Sequence, residues 1–536
     1  MVRMILLKEW IKLRWYMLVL ALVGCVSVGY FWMELHFEFG NIEPESMMWY
    51  RFAHLGDKPY LFFARLLMGM GVIIALAQFI LERFRNRLRI IAHLPRSMPR
   101  ILIGHLGVGA GLLALLSFCV MGVVLSLMFA YYPDEIGRVA LKDMGFYLLG
   151  AFLSYLFSAA VVLERHAKIA LLKLGFGLAV LFLFEKAHYD LWDTVWFGFL
   201  GVAFLLCLDS FYSVKWQRIK TRFMGTLLAV CAVWVGFEAY GAYMKRYATA
   251  FTHYYLFYSP IKEDFVYQKN FGHHRFEYGV KEKETFGQKE YEAFLPFMYW
   301  RDLDIQGRLP IEIKGEIFTK ERIQESRLSM TYEPRDVEKK EVEIYPLLNP
   351  KTTQGIIPFP ENALSITSEG IRAYNFDEGL NVALSDEIAL ALKSLHVNFP
   401  LRGFWGKVSN LKPYDLGYLF LDSQQRLFNL KRENNCLYLR EVVYPKGIFI
   451  EHIFISENSE KKVVGYAIDS NSKIYILDTL LHFTPLDIEG FDAKTMKFQL
   501  ISDPLYYLLR LDDGITYRAI LFSKAFEKER EVVFKK

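Results

Sequence analysis

The sequence is poor in cysteine, and its few cysteines form no recognisable pattern. Five occur in 536 residues: Cys25, Cys119, Cys207 and Cys231 lie in apolar runs, and Cys436 stands alone in the polar half. One cysteine cannot form an internal disulfide, and no C-x-x-C spacing typical of zinc sites is present. The polar half is therefore expected to depend on an apolar core, which a segment of its length can bury.

Short motifs of common enzymes are also missing. No G-x-x-x-x-G-K-[ST] loop occurs; Gly403–Val408 contains a Gly-Lys pair, but its spacing is wrong and the hydroxyl residue is lacking. Neither G-x-S-x-G nor H-E-x-x-H is found. His273 and His274 are adjacent, whereas two ligands on one helical face need a spacing of four. We therefore predict that the chain is not an enzyme and uses no cofactor or metal.

Charge is unevenly divided along the chain. Residues 1–245 hold 24 Lys and Arg but 16 Asp and Glu, whereas residues 246–536 hold 39 and 42. The basic excess thus belongs to the apolar half, where anchoring at a membrane surface accounts for it. This pattern predicts membrane lipids as partners, and no nucleic acid.

Long apolar runs are confined to residues 1–245 and are of a length that crosses ~30 Å of hydrocarbon. The predicted spans are 15–33, 61–81, 101–130, 144–163, 168–184, 195–213 and 223–243. The predicted fold is a membrane α-helical bundle of about seven helices over 1–245, followed by an extracytoplasmic, mainly-β domain over 246–536. Lys173, which interrupts the fifth span, is expected to reach the nearby interface. His105 and Asp209 are expected to lie at interfaces too.

The loops between the spans predict the orientation. With the N-terminus inside, the inside segments carry 17 Lys and Arg and the outside loops carry 5. Because basic residues favour the cytoplasmic side, the N-terminus is predicted to be cytoplasmic. Seven crossings then place residues 246–536 on the other side of the membrane.

The segment between the second and third predicted spans combines a basic helix with a proline-rich turn. Simple anchoring to the inner membrane surface and docking of a partner protein are both compatible with this pattern. If a partner docks here, the loop residues involved are Glu82, Arg83, Arg85, Arg87, Arg89, His93, Leu94, Pro95, Arg96 and Ser97.

Two stretches of the sequence resemble a known family. Leu6–Lys12 is similar to the amphipathic N-terminal helix of ABC-2-type permeases, and 82–97 is similar to their first inside loop. The resemblance covers about residues 1–215. It implies a bacterial inner membrane, a cytoplasmic ABC ATPase subunit docked on the loop, and a second permease copy or homodimer. The seventh span and the outside domain depart from the usual six-span plan.

Residues beyond 360 contain a spaced pattern in which an apolar strand ends near an aspartate and a polar turn follows. The aspartates are Asp377, Asp422, Asp469 and Asp512, at spacings of 45, 47 and 43. A period of this length is typical of propeller blades, so a propeller-like fold is one expectation. Unrelated hairpins in a sandwich are the alternative. One helix is expected over 287–305, and the aromatic residues of 246–262 are expected to form an interfacial belt.

The same half also resembles an uncharacterised bacterial family, a domain of unknown function. The similar stretches are Leu295–Leu303, Lys412–Tyr418 and Gln425–Lys431. Members of this family are similar to the present chain in pairing such a domain with a permease-like region. The resemblance implies no particular substrate and no catalytic residue.

These observations lead to one main functional hypothesis. The chain is predicted to be the permease-like subunit of an ABC-type export or membrane-remodelling complex, driven by a separate ATPase, with an outside domain that binds substrate or partner. The alternative is a non-transporting anchor that presents a β-rich sensor or interaction domain. A membrane-bound enzyme with its site in the outside domain is the third hypothesis.

Overall fold

The computed structural model describes residues 2–42, 45–84, 87–92, 97–186, 193–219, 221–247, 253–338, 340–353 and 355–535. The chain divides into two compact units, Met1–Ala248 and Thr249–Lys536. We call them the helical unit and the β unit.

Seven helices of the helical unit, counted over the described residues, are long and apolar enough to cross a membrane. Their bounds are α1 Val2–Phe37, α3 Leu61–Phe84, α5 Met98–Tyr131, α6 Asp134–Leu163, α7 Ala167–Lys186, α8 Asp193–Ser213 and α9 Thr221–Tyr247. Two shorter helices, α2 Glu45–Leu55 and α4 Arg87–Ala92, lie between them, and a π-helical turn over Glu38–Ile42 follows α1. The prediction of seven apolar helices and a multi-pass membrane protein is confirmed at this level.

Helix α1 continues from the amphipathic segment into the first span without a break. Leu6–Lys12 and the span 15–33 form one helix of 36 residues. The first 22 helical residues contain neither glycine nor proline, so nothing in this stretch stops the helix where the amphipathic segment ends.

Helices α3 and α6 form the most extensive helix–helix contact described in the helical unit, and small residues permit it. A Cβ at Gly71 would collide with the carbonyl oxygen of Ala151 and with Oγ of Ser154. Ser154 satisfies its own hydroxyl by donating to the carbonyls of Met68 and Ala151, each at 2.8 Å. Such close approach of small residues is the usual means of helix association in membranes.

The β unit consists mainly of five antiparallel meanders, which confirms the mainly-β prediction. The first sheet contains β1 Tyr254–Ser259, β2 Asp264–Asn270, β3 Phe276–Val280 and β4 Glu284–Phe286. The second contains β8 Ile344–Leu347, β9 Asn362–Ile366, β10 Ile371–Asn375 and β11 Gly379–Leu380. The third contains β12 Gly403–Trp405, β13 Tyr418–Leu421, β14 Leu427–Glu433 and β15 Cys436–Val442.

The last two meanders follow the same order along the chain. The fourth sheet contains β16 Ile450–Ile455, β17 Gly465–Asp469, β18 Ile474–Leu477 and β19 Phe483–Pro485. The fifth contains β20 Lys497–Ser502, β21 Tyr507–Asp512, β22 Thr516–Phe522 and β23 Lys528–Lys535, with β7 Leu328–Tyr332 added beside β20. A small hairpin pairs β5 Ile311–Ile313 with β6 Glu316–Phe318.

In the described part of the β unit, four helices accompany the sheets: α10 Gln288–Phe294, α11 Trp300–Ile305, α12 Lys320–Glu325 and α13 Val382–Ser394. A short 3-10 turn lies at Pro334–Val337. The prediction of a single helix over 287–305 is wrong, because the chain leaves the helical conformation between α10 and α11. Pro296 lies in this break and has no backbone N–H to continue the helix.

Neighbouring sheets share apolar cores. One core joins the second and third sheets, another the third and fourth, another the fourth and fifth, and another the fifth and first. Among the described residues, no such core joins the first sheet to the second, so the ring of sheets is not closed. Tyr258, expected in a membrane belt, is buried with Leu256 in the core between the fifth and first sheets.

The four spaced aspartates occupy two different positions in these meanders. Asp422, Asp469 and Asp512 follow or end the second strand of their sheets, whereas Asp377 follows the third strand. In that turn Asn375 is the acceptor, for the amides of Asp377 and Glu378. The interval from Asp377 to Asp422 contains three strands and α13, whereas each of the other two intervals contains four strands. The helix thus gives the first interval a similar length without making the aspartates equivalent.

Candidate functional site

Most of the buried polar side chains described in the helical unit lie at the end where α1, α5 and α7 begin and where α3, α6 and α8 end. We call this end the amino-terminal face. Two buried clusters lie there, and together they join these six helices. Polar and charged groups are expensive to bury unless they are paired, and within membrane helices they commonly mark functional positions.

The first cluster is centred on Glu82, near the end of α3. Its Oε1 lies 2.9 Å from Nζ of Lys8 and 3.3 Å from Nζ of Lys12, both on α1. Glu82 is 3% exposed, and its Oε2 has no hydrogen-bond partner. The first residue of the predicted docking loop is therefore paired with the predicted amphipathic N-terminal helix.

Lys12 and Gln78 extend this cluster to α5 and α6. Lys12 Nζ donates to the Gln78 carbonyl at 2.8 Å and lies 2.7 Å from Oε2 of Glu9. Glu9 Oε1 is 2.9 Å from Nδ1 of His105. Gln78 donates from Nε2 to the His105 carbonyl at 2.7 Å and accepts from the Tyr155 hydroxyl at 2.7 Å. His105, expected at an interface, is thus buried among the side chains of the bundle.

The second cluster alternates two cations with two carboxylates. Lys173 Nζ lies 2.9 Å from Oε2 of Glu164 and 2.9 Å from Oδ2 of Asp209. The Arg218 guanidinium lies 2.8 Å from Oε1 of Glu164 and 3.0 Å from Oδ2 of Asp209. Ser210 accepts from Lys173 at 2.7 Å.

The positions of Lys173 and Asp209 correct the sequence predictions. Lys173 was expected to extend to the interface, but it is 4% exposed. Asp209, also expected at an interface, is 5% exposed. Two carboxylates contact the Lys173 ammonium group and compensate the cost of removing it from water. Hydrocarbon around the same group would not compensate this cost.

Arg83 links the two clusters. Its Nη1 donates to the Val162 carbonyl at 3.0 Å, two residues before Glu164. Of the predicted loop residues, Glu82, Arg83, Arg87, Arg89 and Ser97 are described, whereas Arg85, His93, Leu94, Pro95 and Arg96 lie outside the described residues. Arg87 and Arg89 belong to α4 and are exposed, and Ser97 directly precedes α5.

Several members of the clusters were not predicted from the sequence: Glu9, Gln78, Tyr155, Glu164 and Arg218. A signal existed for some of them. Gln78 is an amide within an apolar run, and Glu9 and Lys12 have the i, i+3 spacing that places two side chains on one helical face. Nothing local in the sequence pairs Glu164 with Arg218, which is 54 residues away.

The β unit contains a buried charge cluster of its own, in the family-like stretch Lys412–Tyr418. Lys412 Nζ lies 2.6 Å from Oδ1 of Asp415 and 2.6 Å from Oε2 of Glu457. Burial raises the pKa of the Glu457 carboxyl, against the effect of Lys412, to about 7. Because Glu457 follows β16, the cluster ties the third sheet to the fourth. In the ranges that the structure describes, no three His, Cys, Asp or Glu side chains come together as metal ligands.

Part of the β unit is similar to a known protein family. Residues 255–521 match the model of a family described as a domain of unknown function (DUF4857). This range lies wholly within the β unit, so the match supports the domain-of-unknown-function resemblance and does not extend to the permease resemblance. No curated protein and no solved structure matches the chain.

Proposed function

We propose that the chain is the membrane-spanning, permease-like subunit of an ABC-type export or membrane-remodelling complex, driven by a separate ATPase. The observation that carries this proposal is the pairing of Glu82 with Lys8 and Lys12, which ties the loop to α1. In this proposal the amino-terminal face is cytoplasmic, the membrane is the bacterial inner membrane, and the β unit is extracytoplasmic.

The clusters provide a means of transmitting force. An ATPase docked on residues 82–100 would push on Glu82 and Arg83. Glu82 forms an ion pair with α1, and Arg83 donates a hydrogen bond to α6. Through Gln78 the same push would reach α5. Breaking one partner out of a buried ion pair costs about 3–5 kcal/mol, so the helices joined in this way would move together.

The β unit would bind the substrate or a partner outside the membrane. The up-and-down order of its five sheets supports a propeller-like arrangement. Helix α1 exposes many large apolar side chains, among them Leu18, Leu22 and Val26. Membrane lipids or a second copy of the chain would cover this surface.

A second function is favoured by a separate observation. The family match covers the β unit and not the helical unit. In this alternative the helical unit is a non-transporting anchor, and the β unit acts as a sensor or interaction domain. Purification of the tagged chain in mild detergent distinguishes the two, because only the permease subunit should bring a nucleotide-binding subunit with it.

Docking is tested by changing Leu94 and Arg96 together to Glu. We expect the double variant to insert normally, because the remaining arginines of the loop keep it inside. We also expect it to lose the nucleotide-binding partner in a pull-down from detergent extracts. Lys168→Glu, on an exposed position of α7 outside the loop, is the matched control for added negative charge. Recovery of the partner at wild-type yield by the double variant would contradict docking at this loop.

Transmission is tested separately with Glu82→Gln. The amide removes the negative charge that Lys8 and Lys12 share, but it leaves the exposed surface of the loop unchanged. We therefore expect the variant to keep the ATPase partner. In reconstituted vesicles, however, it should lose most of the increase in ATP hydrolysis that the wild-type chain causes in that partner. Wild-type stimulation in this variant would show that the Glu82 cluster is structural and does not transmit force.

A further inference from the structure

Arg510, in the middle of β21, carries a guanidinium group that is poorly compensated. One of its nitrogens, Nη2, donates to Oε1 of Gln499 on the neighbouring strand. The group lies over the ring of Phe257, with Cζ 4.8 Å from the ring centroid, and 5.9 Å from the centroid of Tyr255. Its Nη1 is buried without a hydrogen-bond partner.

No carboxylate of the described chain forms an ion pair with Arg510. The nearby charged carboxylates interact elsewhere: Glu333 lies 3.7 Å from Lys497, and Glu531 lies 2.7 Å from Arg518. Asp512 accepts the Gly514 amide at 2.7 Å. Burial lowers the pKa of Arg510 to about 10, so the group remains charged at neutral pH. Arg510 is partly buried and its Nη1 fully so. A charge withdrawn from water without a counter-charge is unfavourable, and an anion that binds here would compensate it.

A second buried donor lies near the guanidinium. Phe257 packs against an apolar cluster that contains Tyr291, and the Tyr291 hydroxyl is buried without a hydrogen-bond partner. Arg510 also lines a cavity of about 160 Å³ together with Tyr254, Tyr255, Gln499 and Tyr517. A cavity of about 150 Å³ is large enough for benzene, so this cavity is large enough for a six-membered ring or a short aliphatic chain.

We propose that the β unit binds a small organic monocarboxylate, with the carboxylate on the Arg510 guanidinium and the apolar body against Tyr254, Tyr255 and Tyr517. Arginine is well suited to this role because its planar fork matches carboxylate geometry. Lys497 and Arg518 also line the cavity, but they are paired with Glu333 and Glu531. Arg510 therefore carries the uncompensated charge of the described lining, and one carboxylate matches a single charge better than a phosphate dianion does. This site does not depend on the proposed ATPase or on transport.

The test uses the full-length chain in detergent at pH 7.5 and measures the thermal unfolding of the β unit. The probes are sodium benzoate, its neutral isostere benzyl alcohol, and inorganic phosphate, at equal ionic strength. We expect benzoate to raise the unfolding midpoint in a saturable way, benzyl alcohol to have no effect, and phosphate to have a smaller effect than benzoate. This comparison needs no variant, so it remains decisive if substitutions at the site unfold the protein.

Two variants locate the site. Arg510→Met keeps the length of the side chain and removes its charge, so the benzoate affinity should fall at least tenfold, about the value of one charge-assisted hydrogen bond. Arg372→Met is the matched control, because Arg372 is an exposed arginine in the middle of another sheet, and it should leave the affinity unchanged. The proposal is overturned if benzoate has no effect, if benzyl alcohol or phosphate acts as strongly as benzoate, or if Arg510→Met keeps the wild-type affinity.

Discussion

Buried charges are the residue-level feature that most distinguishes this protein, and they fall into two kinds. Lys173 and Arg218 share two carboxylates, so their charges are compensated at distances of 2.8–3.0 Å. Arg510 has a neutral amide and aromatic rings as its neighbours. Removing one partner of a compensated cluster leaves a buried charge unpaired, whereas removing an uncompensated charge does not.

A prediction at this scale concerns Lys173. Replacing it with Met leaves Glu164 and Asp209 with Arg218 alone, so we expect a loss of about 3–5 kcal/mol in the free energy of unfolding. Thermal or denaturant unfolding in detergent measures this loss. Lys168→Met on the exposed side of α7 is the control and should change stability by less than about 0.5 kcal/mol. Equal stability of the two variants would show that the cluster contributes little.

A second residue-level prediction concerns His452 in β16. Burial between Tyr332 and Tyr466 lowers the pKa of this imidazole to about 4, and nearby Lys340 adds to the effect. The unfolded chain takes up a proton near pH 6.5, whereas the folded β unit does so only near pH 4. The stability due to neutral His452 is therefore present above pH 6.5 and is lost as the pH falls from 6.5 to 4, by roughly 3 kcal/mol.

The measurement is the unfolding free energy of the β unit between pH 7 and pH 4. His452→Phe should fill the same space between the two tyrosines and show a weaker dependence on pH. His482→Gln changes an exposed imidazole and should keep the wild-type dependence. A pH dependence that is identical in wild type and His452→Phe would refute the role of this histidine.

At the scale of the element, single residues decide how closely two helices pack. Gly69 and Gly71 lie two residues apart on α3, but only at Gly71 would an added Cβ meet backbone and side-chain atoms of α6. Gly69 has no heavy atom within 4 Å of such a Cβ. Ala normally stabilises a helix interior by about 0.5–1 kcal/mol relative to Gly, so its effect at Gly71 is set by packing.

We therefore predict opposite effects for two equivalent substitutions. Gly69→Ala should leave the unfolding midpoint in detergent unchanged or raise it, because it gains helix propensity in open space. Gly71→Ala should lower the midpoint, because α3 and α6 must separate to admit the methyl group. Similar midpoints for the two variants would argue against the tight α3–α6 contact.

The topology of the whole molecule rests on the distribution of charge and on an odd number of spans. Reporter fusions after Arg100 and Arg222 should behave as cytoplasmic, and fusions after Asp143 and Lys536 as extracytoplasmic.

An independent probe is Cys436, which is exposed and is the one cysteine in the sequence of the β unit.

A membrane-impermeant maleimide should label Cys436 in intact spheroplasts, with the label on the C-terminal proteolytic fragment. Cys436→Ser should abolish the label on that fragment. Labelling that requires lysis of the spheroplasts would place the β unit inside and would contradict seven crossings with a cytoplasmic N-terminus.

Much of this organisation could be read from the sequence, because it depends on local properties. Hydrophobic length determines which helices can cross a membrane, so seven helices and the division near residue 245 follow from composition. Alternating apolar residues and Asp-containing turns likewise indicate strands, which is why the mainly-β character of the second half was predictable. The equivalence of the repeats was harder to read, because an inserted helix can take the place of a strand in the spacing, as α13 does before Asp422.

The tertiary structure alone decided where the charges lie. Lys12, Gln78 and Tyr155 come from three different helices, and Glu164 meets Arg218 from 54 residues away. A sequence shows that a lysine interrupts an apolar run, but it does not show whether carboxylates from other helices will surround that lysine. The desolvation of an ammonium or guanidinium group is balanced only by the neighbours that folding brings to it. For that reason the interfacial prediction failed for Lys173, and the uncompensated charge of Arg510 became visible only in the folded β unit.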